Sequence, residues 1–506
     1  MKGLTFGQER NGKRWEQAGE IIFYLLVFLA IACFAMLQTY GDPPDEINRF
    51  KVVNFIRNHG RLPYGGDPEV ILNGYGASYA FQPILTYIIQ GYLLRFLGLF
   101  TTDGYVLLLA ARMVNVCFGV LMAYYVRLIS KEVWKNPYIQ WTFTLLVVFL
   151  PQNIFIHSYV NTDSMAMLSV AMIIYALLRA RRRRYDKKDC ILLATGIILC
   201  AMSYYNTYGI ILSAILIFII NFIYMASGQE GGAGKKKLEV KWREMLRKGG
   251  FISVIVLFGI GWWFIRNAVL YGGDFIAMNA RLECAIETAT AEFNPLTRFT
   301  YQKEGIPLTE MLFGTGYITL LRDSFIAMFG PMLIPTHGLI YIFYKRLWII
   351  ACVLAVMPVK KIGAKLSRRE NSAGKGEKYL SEEASIWGYS YDTSKKDSVA
   401  FYACMALFCI ITIGLSIYYS YTWEFQPQGR YILPVLIPFM YLVTIGVQKA
   451  CMALEWFRMR GIGKVLCLGI MAYVMLSFAY SLFNRFIPYY LHGENMLSMY
   501  GKVFVP

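Results

Sequence analysis

Two adjacent carboxylates, Asp45 and Glu46, stand just beyond the first apolar run, in the stretch LQTYGDPPDEINRFKVVNFIRNHGRLP at residues 37–63. Carboxylates at the exit of a membrane span are costly near lipid and make sense facing water and a polar substrate. A carboxylate there could take the proton of an attacking hydroxyl. The competing reading is capping, because acidic groups in a first turn favour the positive end of a helix. The two roles are compatible.

An acid–base pair needs cations if the substrate is a phosphate. Arg266 lies in WWFIRNAVLYGGDF (262–275), bordered by Trp262, Trp263 and Tyr271. Such an arginine either snorkels within an aromatic belt or holds a phosphate by charge-assisted hydrogen bonds. Arg430 in QPQGRYILP (426–434) is a second phosphate candidate. Gly429 beside it permits close backbone approach, with Gln428 and Tyr431 as substrate-side neighbours. Arg322 opens RDSFIAMFGP (322–331), a candidate re-entrant segment, and is the third.

His157, Asn161 and Asp163 fall together in PQNIFIHSYVNTDS (151–164). They could orient a cation, a metal or a sugar hydroxyl; alternatively Asn161 or Thr162 caps the next helix. His59 joins them as a substrate-side candidate. A zinc or other divalent site built from His59, His157 or His337 with the carboxylates has no diagnostic spacing. A divalent metal therefore stays open as a cofactor.

These residues must be positioned by membrane helices. The 506 residues are 57% hydrophobic and 16% charged, with mean hydropathy +0.44. That is too apolar for a soluble domain and fits a polytopic membrane protein. About eleven spans are expected, near 20–40, 104–129, 138–157, 163–179, 189–205, 208–226, 250–270, 337–358, 399–420, 431–448 and 465–484. The net charge of +18 does not indicate nucleic acid. Its Lys/Arg clusters sit between apolar runs, as the positive-inside bias requires. One cluster fills a cytoplasmic loop at 359–398, whose GKGEK lacks the ending of a phosphate loop. The N-terminus is expected in the cytoplasm, ahead of an uncleaved first span, and the C-terminus outside.

Polar residues thus gather on the outer side, in loops 41–103 and 271–336 and three shorter pieces. In the first loop Asp42 could cap a helix opened by Pro43. Ile47, Phe50, Val53 and Ile56 recur at three-residue spacing, suiting a helix on the membrane surface. Residues 81–97 are apolar enough for a half-buried or re-entrant helix. The ten cysteines are scattered, only Cys284 falls in an outer loop, and no external disulfide framework is expected.

PPDE near the start, VNTD after the third span, WWFIRN…LYGGDF, DSFIAMFG and QGRY before a late span cover most of residues 43–434. In this order they resemble the GT-C superfamily of integral membrane glycosyltransferases. The nearer resemblance is to a bacterial multispanning branch, related to protein O-mannosyltransferases and the aminoarabinose transferase. It implies an all-α fold acting as a single domain over 1–506. It also implies a polyprenyl-phosphate-linked sugar as donor, with inverting transfer to a cell-envelope glycan, teichoic acid or lipid acceptor. Asp45 would be the base with Glu46 beside it, and Arg266 and Arg430 the phosphate contacts. Some relatives carry a lysine where this chain reads Tyr204, Tyr205 and Asn206. No large soluble domain is expected after the last span, unlike the type that glycosylates asparagine. The alternative reading is a lipid-linked glycan flippase, which would bury charges mid-membrane around a two-sided cavity.

Overall fold

Backbone groups inside lipid have no water to bond, so long apolar runs must close their hydrogen bonds internally as helices. The computed structural model describes residues 2–226, 237–358, 387–390, 395–456, 459 and 461–491. Its helices are α1 (Lys2–Leu37), α2 (Glu46–His59), α3 (Leu85–Leu97), α4 (Gly104–Val133), α5 (Pro137–Val148), α6 (Pro151–Ile156), α7 (Asp163–Arg183), α8 (Lys187–Ala201) and α9 (Gly209–Asn221). They continue as α10 (Trp242–Leu270), α11 (Met278–Thr288), α12 (Leu308–Gly314), α13 (Tyr317–Ile326), α14 (Gly338–Val356), α15 (Lys395–Thr422), α16 (Leu436–Trp456), α17 (Ile462–Ser481) and α18 (Ile487–Leu491). The fold is an all-helical polytopic membrane bundle, with two short antiparallel strand pairs, Ile223–Ala226 on Lys237–Val240 and Met328–Phe329 on Ile334–Pro335.

Among the described residues, eight helices are long and apolar enough to cross a membrane. The other three expected spans correspond to shorter helices. The 12 residues of α5 reach only about 18 Å, against a hydrocarbon core of about 30 Å. Pro151 interrupts that run, because it lacks an N–H and biases the preceding residue away from the helical region. Likewise α8 has 15 residues and α9 has 13.

The expected surface helix is α2, and it differs from expectation in two ways. It starts after Asp45, not after Asp42. It is also packed inside the protein: Phe50, Val53 and Ile56 are buried, and so are Val52 and Phe55 on neighbouring faces. The stripe beds on α3, where a side chain at Gly91 would meet Ile56 at 2.6 Å. The segment 81–97 resolves into a 3₁₀ turn, Tyr79–Phe81, and α3, which exposes Ile89, Tyr92 and Phe96.

Loop 271–336 is tied down onto the first loop. The Thr290 amide donates to the Gly74 carbonyl at 2.9 Å, the Thr288 hydroxyl donates to the Gly76 carbonyl, and Phe293 packs on Tyr75 with centroids 4.2 Å apart. The stretch RDSFIAMFGP runs from the end of α13 into the small hairpin at 328–335 instead of a re-entrant helix. The core joins α1 to the late helices through Phe34, Phe155, Phe329 and Phe486. Most of loop 359–398, GKGEK within it, His492 and the C-terminal end lie outside the described residues.

Candidate active site

Asp45 occupies the N-cap of α2 with φ 64° and ψ 7°, a left-handed conformation unusual for a residue with a side chain. Its carboxylate makes no capping hydrogen bond. Hydrogen-bonded capping therefore does not describe it, although the charge still stands at the positive end of the helix. Instead Arg430 Nη2 donates to Asp45 Oδ2 at 2.5 Å, and Arg49 Nη2 lies 3.7 Å from the same oxygen. Burial works to raise the Asp45 pKa. Arg430, then Arg49, and a hydrogen bond from Tyr79 outweigh it and hold the carboxyl at about 2. About a third of the Asp45 side chain remains exposed.

Arg49 extends the arrangement. Its Nη1 is 2.8 Å from Asp163 Oδ2, in the first turn of α7, and its guanidinium lies over the Tyr79 ring. Arg430, Asp45, Arg49 and Asp163 thus alternate in sign along one connected line. Arg430 also donates to the Pro44 carbonyl at 3.3 Å and to Tyr431 Oη at 2.9 Å, and Tyr431 in turn donates to Gln426. The 3₁₀ turn Gly429–Val435 carries Arg430 at the head of the helix entering the membrane. Gly429 is required there: a Cβ would stand 2.1 Å from the Phe325 backbone nitrogen. The Gly429 amide is bonded to Ser324 Oγ of α13 at 2.7 Å.

A small cavity opens beside this line, walled by Pro44, Gln152, Tyr159, Ser324, Gln428 and Arg430, with free volume of about 10 Å³. That is room for about one water. Tyr159 Oη, Gln428 Oε1 and Arg430 Nε around it, and Arg49 Nε nearby, are buried without a protein hydrogen-bond partner. Buried polar atoms of this kind are rare and call for a ligand or ordered water.

Glu46 does not share the site. It is fully buried, and Arg112 grips it through both oxygens, Nε to Oε1 at 2.8 Å and Nη2 to Oε2 at 2.5 Å. The Val160 amide donates to the same carboxylate at 3.1 Å. Arg112 also donates to the carbonyls of Ala35 and Gln38, so it pins α1, α2 and α4 together and does not snorkel. Its counter-ion comes from the start of α2, a distance in sequence that no local pattern reveals.

The remaining candidates are dispersed. Arg266 Nη2 donates to the Pro63 carbonyl at 2.6 Å and its guanidinium lies over Trp263. Arg322 pairs with its neighbour Asp323 at 2.6 Å. His59 is exposed and meets Glu69 at 3.0 Å. His157 is buried with Nδ1 2.6 Å from Ser164 Oγ, and Asn161 accepts the Ser164 amide as a cap for α7. Of His157, Asn161 and Asp163, only Asp163 joins Asp45, through Arg49. His337 caps α14. Among the described residues, no three of His, Cys, Asp and Glu gather as a metal-ligand group.

Arg49, Tyr79 and Tyr159 are site residues that the sequence reading passed over. Arg49 had a signal: it stands four residues after Asp45, one helical turn on. Tyr204, in the stretch where some relatives carry lysine, lies within electrostatic reach of Arg430, Arg49 and Asp163.

The sequence from 71 to 440 matches the description "Predicted membrane protein (DUF2142)". The chain belongs to the DUF2142 family. Its matched region contains Arg430 and Asp163 and begins after Asp45. No curated protein matches this DUF2142 chain. Among solved structures, it is similar to the Archaeoglobus fulgidus oligosaccharyltransferase in the apo form, at TM-score 0.46 and 11% identity over 90% of this chain and 56% of that one. The archaeal oligosaccharyltransferase AglB from Archaeoglobus fulgidus, in complex with an inhibitory peptide and a dolichol-phosphate, gives TM-score 0.42 and 12% identity over 91% and 56%. ArnT from Cupriavidus metallidurans, bound to undecaprenyl phosphate, gives 0.36 and 11% over 85% and 78%. The DUF2142 chain spans about half the length of the oligosaccharyltransferase chains.

Proposed function

We propose that the protein is a glycosyltransferase that moves a sugar from a polyprenyl-phosphate carrier to a cell-envelope glycan, teichoic acid or lipid on the extracytoplasmic face. One observation carries this reading: the Asp45 carboxylate, making no capping hydrogen bond and partly open, is set directly against Arg430 at the head of a membrane helix. A proton acceptor and a phosphate holder in contact are what transfer from a lipid phosphate needs.

In this reading the acceptor O–H gives its proton to Asp45 as its oxygen forms a bond to the sugar C1. The C1–O bond to phosphate breaks, and its electron pair leaves with the polyprenyl phosphate, held by Arg430. Attack opposite the leaving group inverts C1. A carboxyl held near 2 is a weak base, since base catalysis is best with a pKa near the working pH. Donor phosphate supplies a competing oxyanion for Arg430. As Arg430 turns to it, Asp45 loses its strongest cation and gains basicity. Donor binding thereby readies the base. Glu46 stays a structural anchor, and Arg266 and Arg322 have no part in the step. A divalent ion would have Asp45 and Asp163 as its nearest carboxylates, each already paired with arginine.

The test is transfer from radiolabelled polyprenyl-phosphate sugars by membranes carrying the wild type or Asp45→Asn. Loss of roughly 10²-fold or more is expected for the variant. Full transfer by Asp45→Asn removes the base, and transport of a lipid-linked glycan without transfer replaces the reading with a flippase.

A further inference from the structure

Arg298 lies in the long loop between α10 and α14 and is 92% buried, with relative exposure of 8%. Its guanidinium stacks on the Trp423 ring at 3.8 Å. Its Nε and Nη2 have no hydrogen-bond partner in the protein. Among the described residues, no carboxylate pairs with it. A buried cation with no carboxylate in contact is expensive, and stacking on an aromatic face offsets only part of that cost. Its neighbours carry hydroxyl and carboxylate groups. Tyr75 Oη donates to Glu424 Oε1 at 3.2 Å, and both lie within electrostatic reach of Arg298, as does Tyr419. Tyr75 is in turn within electrostatic reach of Asp45 and Tyr431 of the candidate active site.

We infer that Arg298, stacked on Trp423 beside Tyr75 and Glu424, holds an oxyanion of the acceptor, and that the acceptor is an anionic glycan bearing carboxylate or phosphate. This rests on the transferase reading. The guanidinium meets the charge, Tyr75 and Glu424 meet hydroxyls, and Tyr75 stands within electrostatic reach of Asp45. Arg298 sits in a loop and not at a span end, so its ligand arrives from the aqueous side. The donor's own phosphate shares the chemistry, and the experiment separates the two sources.

Binding is measured on the full chain in lipid nanodiscs, in the Asp45→Asn background, so that failure here is distinct from failure of transfer. The probes are a uronic-acid hexasaccharide, a glycerol-phosphate hexamer, an uncharged hexasaccharide and undecaprenyl phosphate. At least one anionic probe should bind roughly tenfold or more tightly than the uncharged one, the worth of one bond to a charged group. Arg298→Gln should erase that preference, Arg298→Lys should restore part of it, and undecaprenyl phosphate should bind all three alike. Equal affinity of the wild-type Arg298 protein for charged and uncharged probes overturns the inference, whether or not the variants fold. So does a loss in Arg298→Gln confined to undecaprenyl phosphate.

Discussion

Asp45 and Arg430, 385 residues apart in the chain, meet at 2.5 Å. This single contact joins the first loop to the head of a late membrane helix, and it sets the charge state of the proposed base.

Replacing the cation should therefore change the base. In Arg430→Gln the Asp45 carboxyl moves up from about 2 toward the usual range near 4, because its strongest lowering partner is gone. Transfer by the variant should show an acidic limb shifted upward, with donor KM raised about tenfold or more. A pH–rate profile of wild type and variant, at several donor concentrations, checks both.

The same depressed carboxyl makes a statement about acid stability. Its folded pKa lies below its unfolded one, so its contribution is fully present above about pH 4 and is lost as pH falls through about 2. Between those limits Asp45→Asn should lose less stability than wild type. Thermal unfolding in detergent across pH 2 to 6 reads the difference.

Glu46 and Arg112 should behave as structure. Arg112→Leu strands a buried carboxylate and should cost on the order of 3–5 kcal/mol, while Glu46→Leu with Arg112→Leu should recover much of it. A double-mutant cycle on unfolding free energies tests this, and transfer per folded molecule should change far less than in Asp45→Asn.

Gly429→Ala should be severe. A methyl at 2.1 Å from backbone must push α13 from the turn that carries Arg430. Activity and melting temperature should fall together. His59→Ala, at an exposed ion pair, should stay within about 0.5 kcal/mol of wild type with transfer unchanged.

What the sequence reveals and conceals follows from the range of each signal. The apolar runs, the helix after the first span and the need for Gly429 are local and readable. Asp45 and Arg430 were both legible as reactive groups, and folding brought them into contact. The division of labour between Asp45 and Glu46 was not legible. Adjacent residues on a helix start point in different directions, and which one meets Arg112 depends on how α2 docks on α4. Arg266 carried the marks of a phosphate ligand, yet its partner is the Pro63 carbonyl, supplied by a loop 203 residues away. The short α5 shows the limit of hydropathy, which measures composition and misses where Pro151 breaks a run.

The backbone of Asp45 has one more consequence. A side-chain-bearing residue held at φ 64° is disfavoured by roughly 1–2 kcal/mol, a cost glycine would not bear. Glycine would relieve that torsion but leave Arg430 and Arg49 buried without their shared carboxylate, a larger loss, so a screen for heat resistance alone should keep the aspartate. Turnover and durability therefore ask for the same side chain, and the torsion is the strain both of them tolerate.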